Sequence, residues 1–421
     1  MRYGPATVAA THWPGVSDRS GRSLRLAAAG AFALVLLAIA IPWRLATEAV
    51  PPLAIQRTLP AYVRLPGPAP QLAWPREGQA AVEVEGVGSF GASGSATPAP
   101  IASVAKMMTA YLTLLEHPLA AGREGFVMTV TPAQVREQGR RVALGESTVP
   151  VRAGERIGER QALQALLLPS ANNVAAMLAA HAAGGSSAFV ARMNATARSL
   201  GMGSTTYTDP SGFEPSTVST AADQLKLARV AMRQPAFAAI VDQPSARLPV
   251  AGVVENYDSL LGEDGYVGVK TGSDTAAGGC FVFAKRVALG GRRLTVLGVV
   301  LGQREGSPVP AALASARRLG DSAAAALRLA TALPAGAGAL SVSSADGRRA
   351  SAVTARALRV VGWAGLALAL RLSVRAPGTR LRAGERLGTV ALLGQGAPST
   401  PALAQRSLGG PSLGWRLRHL L

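Results

Sequence analysis

Leu26 to Trp43 reads LAAAGAFALVLLAIAIPW, without a single charge. Coiled as a helix it is about 27 Å long, close to the thickness of the hydrocarbon core of a bilayer. No soluble surface accommodates such a run, so it divides the chain before any other feature is weighed. Arg2, Arg19, Arg22 and Arg25 precede it and Arg44 follows, a bias that keeps the N-terminal side in the cytoplasm. Residues 1–25 then form a basic cytoplasmic N-terminus and 26–43 a transmembrane signal-anchor. A cleaved signal peptide is the alternative, since Ala38-Ile39-Ala40 resembles a cleavage site. Under either reading everything after Arg44 lies outside the cytoplasm.

The 421 residues allow two or three domains. Basic residues number 43 against 24 acidic ones, a formal net charge of +19. The arginines are scattered, with no basic-aromatic module, and nucleic acid is not an expected partner. One cysteine, Cys280, and four dispersed histidines argue against disulfides and against a Cys/His metal centre. No metal or cofactor is expected. Seven prolines between residues 45 and 78 predict a stiff linker over 44–78. Ala80 to Phe90 alternates like a strand, and Ala- and Leu-rich helices follow from Ile101 to about Phe237. From Tyr266 the runs are β-like, with Gly290-Gly291 as a hairpin turn. A helix is predicted from Val309 to about Thr331. This order describes an α+β domain over 79–332. Residues 333–421 read as a small β-rich domain, expected as a sandwich, with 12 arginines against Asp346 and Glu385, a formal +10.

One helix poses a chemical question. After Pro100, Val104, Met107, Met108, Tyr111, Leu112, Leu114 and Leu115 surround the helix axis, which predicts burial on most faces. Yet Ser103 and Lys106, three apart, share one of those faces. Only four of the basic residues are lysine: Lys106, Lys226, Lys270 and Lys285. Lysine can give up its proton inside a protein and arginine cannot, so a lysine in an arginine-rich chain invites a functional reading. Taken alone, Ser103 as a cap and Lys106 as a snorkelling side chain is the favoured explanation, since S-x-x-K by itself is a weak motif. Lys226 and Lys285 read as surface residues, His181 as an ordinary helix-face residue and Cys280 as a small buried one.

Two further segments change that balance. "LLLPSANNVAAML" carries Ser170 and Asn172, and "VGVKTGSDTAAGG" carries Lys270, Thr271 and Gly272. S-x-x-K, S-x-N and K-T-G in this order resemble the signature of penicillin-binding proteins and serine β-lactamases. The wider text, including "YTDPSGF", resembles the low-molecular-mass D-alanyl-D-alanine carboxypeptidases, serine peptidase family S11, over roughly residues 80–330. "APGTRLRAGERLGTV" near the C-terminus is similar to the β-rich domain of many members. The implied fold is the β-lactamase/penicillin-binding-protein-like transpeptidase fold, a helical subdomain on an antiparallel sheet, with a small β-rich domain after it.

The resemblance also implies roles. Ser103 is the nucleophile, Lys106 its base and Ser170 a proton relay. Asn172, Lys270, Thr271 and Gly272 bind substrate, and the N–H groups of Ser103 and Ser273 form the oxyanion hole. Gly272 would let substrate approach the strand backbone. An arginine that many members carry upstream of K-T-G has no counterpart between Val253 and Gly265. Glu214 has no local pattern of a deacylating glutamate. The implied substrate is the peptidoglycan stem pentapeptide, with β-lactams as covalent inhibitors. The enzyme would sit in the bacterial cell membrane by one N-terminal helix, its basic tail towards anionic lipid or wall polymers. A DD-endopeptidase or β-lactamase on the same site, and a catalytically weak wall-binding protein, remain alternatives.

Overall fold

The structure, a computed structural model, describes residues 19–120, 122–394, 396 and 398–419. Of the expected basic N-terminus, residues 1–18 lie outside the described residues. The apolar run forms most of α1 (Arg19–Thr47). Its segment Leu24–Thr47 is long and apolar enough to cross a membrane, and none of it is buried. Its large side chains, such as Phe32, Leu34 and Trp43, are exposed.

The linker departs from expectation. Two short strands arise within it, β1 (Ala54–Arg57) and β2 (Tyr62–Arg64). The alternating stretch that follows is a hairpin rather than one strand: β3 (Gln79–Val84) and β4 (Gly88–Gly94) turn at Gly86, whose φ of 70° suits glycine. A 3-10 turn, Ala102–Ala105, leads into α2 (Lys106–Glu116). The helical layer continues with α3 (Pro132–Ala143), α4 (Glu159–Leu167), α5 (Asn172–Ala183) and α6 (Ser186–Ser199), then α7 (Ala221–Ala231) and α8 (Pro235–Val241).

Three long strands follow, β5 (Tyr266–Asp274), β6 (Gly278–Leu289) and β7 (Arg292–Gln303). Gly290 and Gly291, at φ 59° and 73°, make the expected tight turn between the last two. These strands and the first hairpin form one antiparallel sheet in the order β5-β6-β7-β3-β4. Period-two alternation splits its side chains between two cores. Ala81, Val282, Ala284, Leu297 and Val299 face the helical layer, packed with Val104, Met107, Leu163 and Val174. Val82, Phe281, Phe283, Val296 and Val300 face the opposite way, against Ala312, Ala316 and Leu319 of α9 (Pro308–Ala325).

Helix α9 stops short of its expected end, because residues 328–333 become a strand, β8 (Arg328–Leu333). The chain then runs through β9 (Gly338–Ser343), β10 (Arg349–Thr354), β11 (Leu358–Gly362), β12 (Ala367–Val374), β13 (Arg386–Leu392) and β14 (Ser399–Ala404) to α10 (Leu413–Arg418). β8 pairs with β11, so the expected boundary at 332/333 falls at the end of a strand whose partner lies beyond it. The remaining strands form a seven-stranded sheet in the order β1-β9-β10-β14-β13-β12-β2.

Both edges of that sheet are therefore linker strands. Leu53 and Leu59 are buried in its core with Leu340, Leu387 and Val390, while Leu65 joins the α9 core. The proline-rich segment staples the tail to the body instead of spacing it from α1. Short strands flanked by proline are a common way of finishing a sheet edge.

Candidate active site

Ser103 sits on the 3-10 turn at the head of α2, where Ala102 holds a φ of 46°. The chain can turn there because Gly212 lies under the Ala102 carbonyl, where a Cβ would collide with it. Lys106 is wholly buried. Its Nζ lies 2.7 Å from Ser103 Oγ and 3.0 Å from the Ser211 carbonyl oxygen. That carbonyl belongs to the 209–213 turn, which Asp209 ties together. Asp209 Oδ2 accepts from the Ser211 and Phe213 N–H groups at 3.0 and 3.1 Å and from Ser211 Oγ at 2.6 Å, and Oδ1 accepts from Thr217 Oγ1 at 2.7 Å. The Lys106 ammonium is thus held by one hydroxyl and one carbonyl, with no carboxylate in contact.

Burial pushes the Lys106 amine well below the usual lysine range, and the positive charge of Lys270 pushes it further. Asp209 and Glu146 oppose that shift, and Arg141 adds to it. A neutral amine at 2.7 Å from a hydroxyl can take its proton. Lys270, on β5, is buried too, and its Nζ donates to the Thr271 carbonyl at 2.9 Å. Desolvation lowers it to about 7 against the pull of Asp258, whose own carboxyl burial raises to about 6.

Ser170 occupies the turn between α4 and α5 with a φ of 66°, in the left-handed region that serine rarely adopts. It is buried and its Oγ has no partner. Asn172 begins α5, and its Nδ2 donates to Glu146 Oε2 at 2.7 Å. Thr271 is buried on β5 and Ser273 exposed at its end. Gly272 also has a packing role that the sequence did not suggest. A Cβ there would lie 3.0 Å from the Ser103 nitrogen and 2.9 Å from the Val104 nitrogen. The missing side chain therefore lets β5 lie against the turn that carries Ser103, which brings the first and third motifs together.

Sequence reasoning left several neighbours unassigned. Asp209 and Ser211 lay within the YTDPSGF block of the resemblance but were given no role there. Glu146, Arg141 and Asp258 carried no local signal at all. Arg304, at the end of β7, donates to the Thr275 and Ala276 carbonyls at 3.1 and 2.5 Å, just beyond Ser273. It lies downstream of K-T-G, where the resemblance had directed the search upstream. Lys285, expected on the surface, is buried against the Tyr266 ring and bonds Asp321 Oδ1 at 2.5 Å. Lys226 is partly exposed and pairs with Asp223, and His181 stacks on Phe126. Glu214 is exposed, and Cys280 is buried, its thiol pushed up to about 12 by that burial.

Comparison with known proteins places this geometry. The carboxypeptidase DacB2 of Mycobacterium tuberculosis is 42% identical over 167 residues, 38% of this chain and 56% of that protein. A D-alanyl-D-alanine endopeptidase of Escherichia coli is 32% identical over 194 residues, 44% of this chain and 58% of that one. The chain thus spans little more than half the length of these curated relatives. Among solved structures, the DD-transpeptidase of Streptomyces K15 superposes with a TM-score of 0.50 at 27% identity, covering 62% of this chain and 98% of that one. The carboxypeptidase DacD of Francisella tularensis shares the fold, with a TM-score of 0.55 over 79% of this chain and 94% of that one. The α+β architecture is therefore that of the DD-peptidases. The model of one family spans residues 91–305, from within β4 to just past β7, and encloses all three motifs. By that match the chain belongs to the D-alanyl-D-alanine carboxypeptidase family, peptidase S11.

Proposed function

We propose that the chain is a serine D-Ala-D-Ala carboxypeptidase that removes the terminal D-alanine of peptidoglycan stem pentapeptides. The observation that carries this reading is the Lys106 amine, wholly buried and 2.7 Å from Ser103 Oγ. Ser103 Oγ attacks the carbonyl carbon of the penultimate D-alanine and passes its proton to Lys106. The oxyanion accepts from the N–H groups of Ser103 and Ser273. The C–N bond then breaks, and Ser170, whose Oγ is free to bridge, relays the proton to the departing nitrogen. Water next cleaves the ester, and Ser103 regains its hydrogen. Lys270 and Thr271 take the terminal carboxylate, whose negative charge raises Lys270 and keeps it protonated. Arg304 is the cation available near the end of that strand to assist. Asn172 holds the acyl part of the substrate. β-Lactams acylate Ser103 by the same route.

Purified protein should release free D-alanine from a soluble pentapeptide, read by a coupled D-amino-acid oxidase assay. Cleavage of cross-linked dimers without D-alanine release would favour the endopeptidase alternative. Turnover of penicillin, with release of penicilloate, would favour a β-lactamase. Binding to wall material without any of these reactions would leave a wall-binding protein.

We also propose that α1 anchors the chain in the bacterial membrane, that 79–332 forms the catalytic unit and that the basic 333–421 segment faces anionic lipid or wall polymer. Supporting the last point, Arg416 of α10 donates to the Leu45 carbonyl near the end of α1, so tail and anchor meet. Because β1 and β2 complete the tail sheet, the test uses residues 45–421. That protein should sediment with anionic vesicles or wall fragments at low salt and come off as salt rises. Binding that ignores ionic strength would reduce the tail's charge to a bystander.

A further inference from the structure

The loop after α3 is laced to the start of α5 without help from the Glu146 side chain. The Asn172 N–H donates to the Ser147 carbonyl at 2.8 Å. The Asn173 side chain accepts from the Val149 N–H at 3.2 Å and donates to its carbonyl at 2.9 Å. The Glu146 side chain is nevertheless buried, 3% exposed. Its Oε2 accepts from Asn172 Nδ2 at 2.7 Å and from Arg141 Nη1 at 2.8 Å. Arg141 is held from its other nitrogen by Glu137 at 3.0 Å.

A carboxylate only accepts, so Glu146 settles which way the Asn172 amide points. The NH2 group faces Glu146 and Oδ1 faces away, buried and without a partner. Asn172, Glu146 and Ser211 line one cavity of about 200 Å³, and the Ser211 carbonyl is the one that holds Lys106. Oδ1 is thus the acceptor that the Asn172 side chain has left for a substrate donor.

We propose that the Arg141–Glu146 pair is a positioning device: it orients the Asn172 amide for the acyl side of the substrate and sets the local charge at Lys106. The proposal rests on the reading of Ser103 as the nucleophile. Four charged side chains act on Lys106: Lys270 from β5, Asp209 from the 209–213 turn, and Arg141 and Glu146 from α3 and the loop after it. Glu146 and Asp209 favour the protonated amine, while Lys270 and Arg141 favour the neutral one. Removing the Glu146 charge therefore lets Lys106 lose its proton at lower pH.

Two variants separate orientation from charge. Glu146→Ala frees the Asn172 amide and should slow labelling by a fluorescent penicillin about ten- to a hundredfold, the usual effect of a misaligned contact. Its thermal midpoint should barely move, since the backbone lacing persists. Glu146→Gln keeps an acceptor for Asn172 and should recover most of the rate. Its pH–rate profile should differ, with the ascending limb moved to lower pH. Labelling of Glu146→Ala at the wild-type rate would overturn the proposal. So would two equally slow variants with an unmoved limb, because a purely structural clamp predicts that pattern. Failure of the wild-type protein to label would instead sink the Ser103 reading and this proposal with it.

Discussion

Ser103→Ala should abolish covalent labelling by a fluorescent penicillin and leave the thermal midpoint nearly unchanged. The loss is on the order of 10³-fold or more, as expected when the only nucleophile of a serine acyl-transfer site is removed. The fold survives because the Ser103 hydroxyl does not hold the turn in place. Gly212 beneath the Ala102 carbonyl and Gly272 beside the Ser103 and Val104 nitrogens do so. Among the described residues, Oγ has one hydrogen bond, from Lys106 Nζ. The measurement is in-gel fluorescence beside a melting curve. Undiminished labelling would move the nucleophile elsewhere, with Ser170 and its free Oγ first in line.

Lys106→Arg tests the base. Arginine keeps the charge and cannot release its proton, so the acylation rate should fall by at least about 100-fold. The bulkier guanidinium could disturb a site with no spare room, and Lys106→Met, apolar and of similar length, controls for that. Both variants should be slow, and Met should melt like wild type. In the wild-type protein the rate should rise with pH as Lys106 loses its proton. The depressed value of that amine places this rise well below the range of an ordinary lysine. At the alkaline end Lys270, lowered to about 7 in the free protein, should lose the charge proposed to hold the carboxylate, so a bell-shaped profile of kcat/KM is expected. Near-wild-type acylation by either variant would return Lys106 to a structural role.

The tertiary structure changed the reading most where the sequence pattern was shortest. Four and three residues of strand among seven prolines give no measurable alternation, so β1 and β2 read as linker. Their strand character comes from β9 and β12, whose edges they complete. The stretch LRLATAL read mostly as the end of a helix, and the presence of β11 as a partner made it a strand. Lys285 looked like any solvated cation until the fold placed Asp321 and the Tyr266 ring against it.

By itself the sequence determined the membrane-length helix, the order of strands, helices and strands, and the three motifs. Each of these rests on near neighbours in the chain: hydrophobic period, turn glycines, or two residues one helical turn apart. The distances between motifs rest on contacts of long sequence separation, and only the tertiary structure decided them. Gly272 meets Ser103 because a missing Cβ allows a strand to lie on a turn 169 positions earlier. Lys106 is depressed because folding removes water from it and brings up Lys270, and no local pattern encodes either event. The Glu146–Asn172 bond is of the same kind, joining a loop to a helix start through atoms that nothing in the sequence pairs.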